Sequence, residues 1–252
     1  MSDITKMEII SRKRAVIKII IGILVAAAVI VGFFFWARYI EKVKAYHIDP
    51  VTEDTLNLVG AGNCKKLMIV AHPDDEILWG GAHLSEGGYL VVCITNGKNS
   101  VRKEEYIKAV EKTGNTPVIL GYPDKVLGKR DDWENVRNKL DDDLSFIMSF
   151  NDWDTIVTHN PDGEYGHIHH KLTNEIVTKL YERLKPQAKL YYFGKYYKAK
   201  DLPAVKDSLT PISDEELKFK QSICEIYESQ ENVIQGLSHM LPYEEWTEYQ
   251  GK

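Results

Sequence analysis

Five apolar residues, Leu67-Met68-Ile69-Val70-Ala71, run without interruption into His72-Pro73-Asp74-Asp75-Glu76, and this junction restricts the fold more than any other stretch of the chain. A short apolar run with no polar alternation suits a strand covered on both faces, the usual condition of a parallel sheet. Pro73 has no N–H to give to a ladder, so pairing stops at His72 and the polar residues fall on the loop beyond. In open α/β sheets ligands bind outside the carboxyl ends of the strands, so His72, Asp74 and Asp75 are expected to converge on a crevice.

The pattern recurs at Thr155-Ile156-Val157-Thr158, which leads into His159-Asn160-Pro161-Asp162-Gly163-Glu164-Tyr165-Gly166-His167-Ile168-His169-His170. One imidazole with a nearby carboxylate is a partial site for zinc or another divalent ion, which in a hydrolase takes three protein ligands and keeps one position open. The third donor then has to come from this second cluster. A turn with a helix N-cap is the plain structural alternative for the first cluster, since Asp often caps helices.

Further strands are expected at Tyr89 to Thr95, Pro117 to Gly121 and Leu190 to Phe193. Gly80-Gly81 and Gly87-Gly88 bracket a short helix. Helical spacing recurs through Tyr106, Ile107 and Val110, through Val136, Leu140, Leu144 and Ile147, over Lys171 to Leu184, and over a long stretch from Asp214 to Ile234 capped by Ser213. Alternating strands and helices give the fold class: a Rossmann-like, mostly parallel α/β sheet with helices on both faces. Asp131-Asp132 and Asp141-Asp142-Asp143 read as helix capping and solvated face. The aromatic, acidic tail with Pro242, Tyr243, Trp246 and Tyr249 either packs on the domain or binds a partner.

Ahead of this domain, Ile19 to Ala37 carries no charge over about 19 residues, or roughly 28 Å of helix, enough to cross a hydrocarbon core. Trp36 and Tyr39 sit at its far edge, where interfacial aromatics belong. A cleaved signal peptide is the alternative, but the run is longer than a usual signal core and ends in Phe33-Phe34-Phe35-Trp36 rather than a small-residue cleavage site. The expected organisation is a basic segment at 1–14, a transmembrane anchor at 15–39, a linker at 40–63 and a catalytic domain at 64–252. Lys6, Arg12, Lys13, Arg14 and Lys18 precede the run, against Arg38, Lys42 and Lys44 after it. The bias favours a cytoplasmic N-terminus and a catalytic domain outside.

A chain of 252 residues with 44% apolar content and ordinary charge has room for one large globular domain plus an anchor. Its net charge of −5, with no basic stripe after residue 45, argues against nucleic acid as a partner. Cys64, Cys93 and Cys224 are too few for a disulfide scaffold; Cys93 fits a core position, and a Cys64–Cys224 pair stays open.

The full hexapeptide Ala71-His72-Pro73-Asp74-Asp75-Glu76, with Gly166-His167-x-x-His170 much later, resembles the signature of the PIG-L or LmbE-like zinc-dependent N-deacetylases. The resemblance extends through Thr95-Asn96-Gly97, Arg102-Lys103-Glu104-Glu105 and Tyr227-Glu228-Ser229-Gln230, and so covers about residues 65 to 232. It implies that His72, Asp75 and His170 hold Zn2+ or another divalent ion, that Asp74 is the general base, and that His167 faces the reacting carbonyl and, if protonated, stabilises its oxyanion. It also points to Arg102 as a substrate-positioning residue, where the residues alone allow an ordinary surface pair with Glu105. His169 departs from the family, which often has Asp there. Neighbouring helical residues point about 100° apart, so only one of His169 and His170 is expected to face the crevice easily.

The implied activity is removal of the acetyl group from an N-acetylglucosamine-containing glycan, glycolipid or glycoconjugate at a membrane. Two alternatives from other classes are a catalytically silent, anchored glycan-binding module and a metal-dependent phosphoesterase, which more often holds two ions.

Overall fold

The computed structural model describes residues 3–251; Met1 and Ser2 of the basic N-terminal segment, and the terminal Lys252, lie outside the described residues. The chain divides into two compact units, residues 1–47 with 126–129, and residues 48–125 with 130–252.

In the first unit, helix α1 runs from Asp3 to Tyr46. Its stretch Ile10–Tyr46 is long and apolar enough to cross a membrane, and none of its most apolar window is buried in protein. Apolar side chains such as Ile23, Leu24, Val29, Ile30, Phe33 and Trp36 are exposed around the helix, as in a segment whose partner is not the protein's own core. The expected linker at 40–63 is not a linker. Its first residues continue α1 to Tyr46, and α2 (Glu53–Leu58) follows, capped by Thr52. Ile48, Leu56 and Ala61 are buried, and the Val51 N–H donates to Asp143 at 3.1 Å. Scattered apolar residues between charges look like linker in sequence, yet three of them are core.

The second unit is built on β1 (Lys66–Val70), β2 (Tyr89–Thr95), β3 (Thr116–Tyr122), β6 (Thr155–Thr158), β7 (Lys189–Tyr192) and β8 (Thr247–Glu248); β4 (Lys125–Val126) and β5 (Lys129–Arg130) form a separate two-stranded ribbon whose residues 126–129 are counted with the first unit. The main sheet has the order β3-β2-β1-β6-β7-β8, parallel throughout except for β8, which runs antiparallel along β7. Lys66 aligns with Tyr89 on one side and Thr155 on the other, so β1 and β6 end level with each other.

Side chains alternate between the two faces of a strand, and β1 is buried on both. Met68 and Val70 join Val91 and Cys93 of β2 in a cluster with Ile77 and Leu78 of α3 (Asp75–Leu84), Tyr106 and Val110 of α4 (Ser100–Lys112), and Ile223 of α7 (Asp214–Cys224). Leu67 and Ile69 point the other way, where α6 (Ile168–Leu184) packs on β1 and β6 and α5 (Arg137–Ser149) packs on α6. The α/β architecture with helices on both faces is therefore the one expected.

Several local expectations give way. Gly80-Gly81 lies inside α3 rather than at its edge, because the helix passes so close to its neighbours: a Cβ on Gly80 would sit 2.6 Å from the Met68 methyl, and one on Gly81 2.9 Å from the Lys220 side chain. The single helix expected over Asp214 to Ile234 is broken. Between α7 and α8 (Glu231–Leu237), Tyr227 turns inward to donate its hydroxyl to Glu76, and Ser229 donates its N–H and its hydroxyl to Glu105. Asp143 is not a solvated face residue; it is buried and accepts the Tyr122 hydroxyl at 2.7 Å. Asp131 is buried as well and accepts the Trp133 N–H. Cys64, Cys93 and Cys224 are all buried free thiols. The tail packs on its own domain: Trp246 Nε1 donates to the Trp79 carbonyl at 3.0 Å, and Glu244 receives Lys220 in a fully buried ion pair.

Candidate metal centre and active site

From β1 the chain winds outward through β2 and β3, and from β6 it winds the opposite way through β7, so the sheet has its switch point between β1 and β6. A crevice opens outside the carboxyl ends of strands at such a point. His72 to Asp75 enter it from β1, and His159 to His170 enter it from β6. The cavity has a volume of about 500 Å³, and its walls include His72, Asp74, Asp75, Arg102, Tyr165 and His167.

Asp74 and Asp75 divide their work at the start of α3. Asp74 is the N-cap by position, but its side chain makes no capping hydrogen bond, and its backbone sits at φ 105. Such a conformation costs roughly 1–3 kcal/mol in a residue with a side chain and persists only where its surroundings impose it. Here the Asp74 N–H is taken by Glu76 at 3.2 Å, and its carbonyl by the Leu78 N–H at 2.9 Å. The freed carboxylate lines the cavity, 3.6 Å from the Arg102 guanidinium, which also donates to the Pro73 carbonyl at 2.7 Å. Asp75 instead accepts the His72 N–H at 2.8 Å.

The imidazole tautomers follow from the acceptors around them. His170 Nδ1 faces the Glu164 carboxylate and must carry the proton, which leaves Nε2 bare; that atom is buried, has no hydrogen-bond partner and lies 3.3 Å from Asp75 Oδ1. His159 is satisfied on both sides: Nδ1–H reaches Glu164 at 3.0 Å, and Nε2 accepts the Ala71 N–H at 3.0 Å. It therefore braces Glu164 and has no lone pair to spare. His167 Nδ1 accepts the His169 N–H at 3.2 Å, so its proton is on Nε2.

Two acceptors facing each other, His170 Nε2 and Asp75 Oδ1, require a positive charge between them. The titration behaviour has the same sense. Burial opposes charging of His170, but Asp75 and Glu164 outweigh it and raise its pKa to about 10. Burial alone would raise Asp75, yet His170 and His159 hold it well below the ordinary carboxylate range. A proton or a metal ion answers this demand. His72, Asp75 and His170 offer donor atoms that all lie within 4.8 Å of one another, the imidazole and carboxylate set that suits zinc. His72, His167 and His169 form a second group at the same spacing.

Both neighbouring histidines of α6 reach this centre, contrary to the expectation that only one would. His169 is fully buried with Nδ1 3.0 Å from His72 Nε2, while His170 faces Asp75. The two rings serve different partners, His169 lying between His72 and the Asp131 carbonyl and His170 between Asp75 and Glu164. Arg102 lines the cavity; its Nη2 donates to the Pro73 carbonyl and faces Asp74, while its Nε is buried with no hydrogen-bond partner. Asp74 has its pKa pushed well up by burial and by Asp75, against the pull of Arg102. Burial and the neighbouring His72 lower His167 to about 2, which favours the neutral ring.

Asp124, Arg130, Glu164 and Tyr165 also belong to the site and were not singled out from sequence. Asp124 pairs with Arg130, and its Oδ1 lies 3.5 Å from His72 Nε2. One signal was present: Tyr122-Pro123-Asp124 repeats the pattern of His72-Pro73-Asp74 at a strand end. The third such tripeptide, Asn160-Pro161-Asp162, shows the limit of that signal, because Asp162 is exposed.

Residues 67–181 match the PIG-L family, described as GlcNAc-PI de-N-acetylase. Over that span, a little under half of the chain, the sequence is similar to a PIG-L domain. A relative, uncharacterized protein L374 of Acanthamoeba polyphaga mimivirus, is 26% identical over 186 residues, covering 67% of this chain and 73% of its own. Among solved structures, the deacetylase of the teicoplanin biosynthesis pathway superposes with a TM-score of 0.53 at 17% identity, covering 68% of this chain and 87% of that one. The A40926 pseudoaglycone deacetylase Dbv21 gives a TM-score of 0.53 at 17% identity, over 71% of this chain and 87% of its own. At that identity the likeness is one of fold.

Proposed function

We propose that this chain is a membrane-anchored, metal-dependent amidohydrolase that removes the N-acetyl group from an N-acetylglucosamine-containing glycan or glycolipid. The observation that carries the reading is the convergence of His72, Asp75 and His170 beside a carboxylate, Asp74, that the fold does not use as a helix cap.

In this reading His72, Asp75 and His170 hold Zn2+ or a similar divalent ion, which supplies Lewis-acid polarisation of the amide and eases loss of a proton from water. Asp74 takes that proton on its carboxylate and returns it to the departing amine nitrogen. A carboxylate whose pKa is raised by burial is suited to both halves of the transfer near neutral pH. His167 acts as a neutral donor: with Nδ1 engaged by the His169 N–H, its Nε2–H is available to the carbonyl oxygen as negative charge develops. Arg102 keeps Asp74 turned toward the substrate and lines the substrate cavity.

The anchor is α1. Its length and exposed apolar surface support a single pass, and the excess of Lys and Arg before the apolar run favours a cytoplasmic N-terminus with the enzyme outside. The test is acetate release by the full-length chain in detergent, over free, lipid-linked and polymeric N-acetylglucosamine substrates. Release abolished by a chelator and restored by zinc is expected, with one ion per chain. Two ions per chain with cleavage of phosphate esters, or sugar binding without turnover, would overturn the proposal.

A further inference from the structure

His169 occupies the position at which this chain departs from its family, and its surroundings are unusually determined. Nε2 lies 2.7 Å from the Asp131 carbonyl oxygen. A carbonyl only accepts, so the proton of this ring is on Nε2, and Nδ1 presents a lone pair. The ring is held in that pose by Trp133, which stacks on it with centroids 4.2 Å apart at 11°. Trp133 is itself pinned, donating Nε1–H to the Pro123 carbonyl at 2.8 Å and its N–H to Asp131 Oδ1 at 2.8 Å.

The lone pair of His169 Nδ1 is aimed at His72 Nε2, 3.0 Å away. Two bare nitrogens would repel at that distance, so His72 carries its proton on Nε2. Asp124 Oδ1 is the other acceptor near that atom, but it is farther, at 3.5 Å, and is engaged by Arg130. With Nε2 protonated, His72 turns a free Nδ1 toward Asp75, 3.2 Å from Oδ2, on the side where His170 Nε2 is also bare.

We infer that His169 is a positioning residue: by accepting the Nε2 proton of His72 it fixes the tautomer that leaves His72 Nδ1 free to join Asp75 and His170 around a metal ion. The inference rests on the metal-centre reading above and adds a member that does not itself touch the ion. The chain of control runs from a backbone carbonyl, Asp131, through His169 to His72. Partners that orient a metal-bound imidazole in this way typically change metal affinity about 10- to 100-fold when removed.

The experiment compares zinc affinity by chelator competition, and the visible absorption of the Co2+-substituted protein, in the full-length wild type, His169→Ala and His169→Asn. His169→Ala removes the acceptor and is expected to weaken zinc binding by about 10- to 100-fold and to alter the Co2+ spectrum. His169→Asn carries an amide oxygen near the position of Nδ1 and should restore most of the affinity. Equal affinity in wild type and His169→Ala, or no rescue by asparagine, would overturn the inference. Should the variants fail to fold, two-bond proton–nitrogen spectra of isotope-labelled histidine in the wild-type zinc protein decide it: His72 protonated at Nε2 is required, and protonation at Nδ1 excludes it. A wild type that binds zinc but releases no acetate defeats the deacetylase proposal and leaves the role of His169 standing. Acetate release with unaltered zinc affinity in His169→Ala defeats this inference alone.

Discussion

Gly97 shows how a single position in this fold can be dictated by a neighbour far along the chain. Its N–H donates to the Leu120 carbonyl at 2.9 Å, and a Cβ placed on it would come within 2.5 Å of that same oxygen. Backbone cannot swing aside as a side-chain tip can, so Gly97→Ala is expected to cost about 1–3 kcal/mol, read as a fall in Tm; an unchanged Tm would mean the loop shifts freely. Glu164 is a second determined residue. It accepts from His159, from His170 and from the Asn160 N–H at 2.9 Å, and burial is outweighed by both histidines so that its pKa falls to about 2. Glu164→Gln sets an amide N–H against these donors and should lower zinc affinity about 10- to 100-fold in the same chelator titration. Asp74→Asn, by contrast, should retain zinc while acetate release drops about 100- to 10,000-fold. The two clusters stood out in sequence because histidines and carboxylates are rare together at strand ends, while the particular ligand set of His72, Asp75 and His170 came from the resemblance of their motifs to a known signature. Glu164 could not, because a carboxylate in a Gly-rich loop looks like any surface acid until the two imidazoles close over it.

Among the elements, α3 and α7 are stapled by a buried charge pair. Lys220 of α7 donates to Glu244 at 2.7 Å, and Glu244 also receives the N–H groups of Ala82 and His83 at 3.0 and 2.9 Å. Burial would raise the Glu244 pKa, but Lys220 and His83 outweigh it and bring it down from 4.5 to about 2. The sign follows: a carboxyl with a depressed native pKa stabilises fully above about 4.5, and that contribution fades as pH falls through about 2. Glu244→Gln leaves Lys220 buried and unpaired and should cost about 3–5 kcal/mol at neutral pH. Its Tm difference from wild type should shrink on acidification over that window; a difference independent of pH would refute the assignment. The regular elements were largely readable from periodicity, since β1, β2 and β6 are short apolar runs and α6 carries a clear helical stripe. What periodicity could not show was the break between α7 and α8. There Tyr227 and Ser229 are drawn in by Glu76 and Glu105, residues that belong to other parts of the chain, and no local pattern carries that information. The linker reading failed for a related reason: Leu56 is only 1% exposed while Leu58 and Val59 close by are exposed, and nothing local tells them apart.

At the scale of the molecule, the catalytic unit begins at residue 48, not at 64. A chain of residues 48–252 is expected to be soluble without detergent and to bind zinc at the proposed centre as the full chain does. A chain starting at residue 64 loses the buried Leu56, worth about 1.5–3 kcal/mol of burial, together with the Val51–Asp143 bond. Comparing the two by soluble yield and Tm tests the boundary; equal stability would return residues 48–63 to the status of a tether.

The hydroxyl of Tyr227 meets Glu76 across 151 positions of sequence, and Gln230 and Asn232 just beyond it supply part of the cavity wall. A nascent chain emerging from the ribosome would therefore present its histidines and aspartates well before the far side of the cleft has been synthesised. The cleft would be closed only once residues 227–232 had followed, long after both histidine clusters were made.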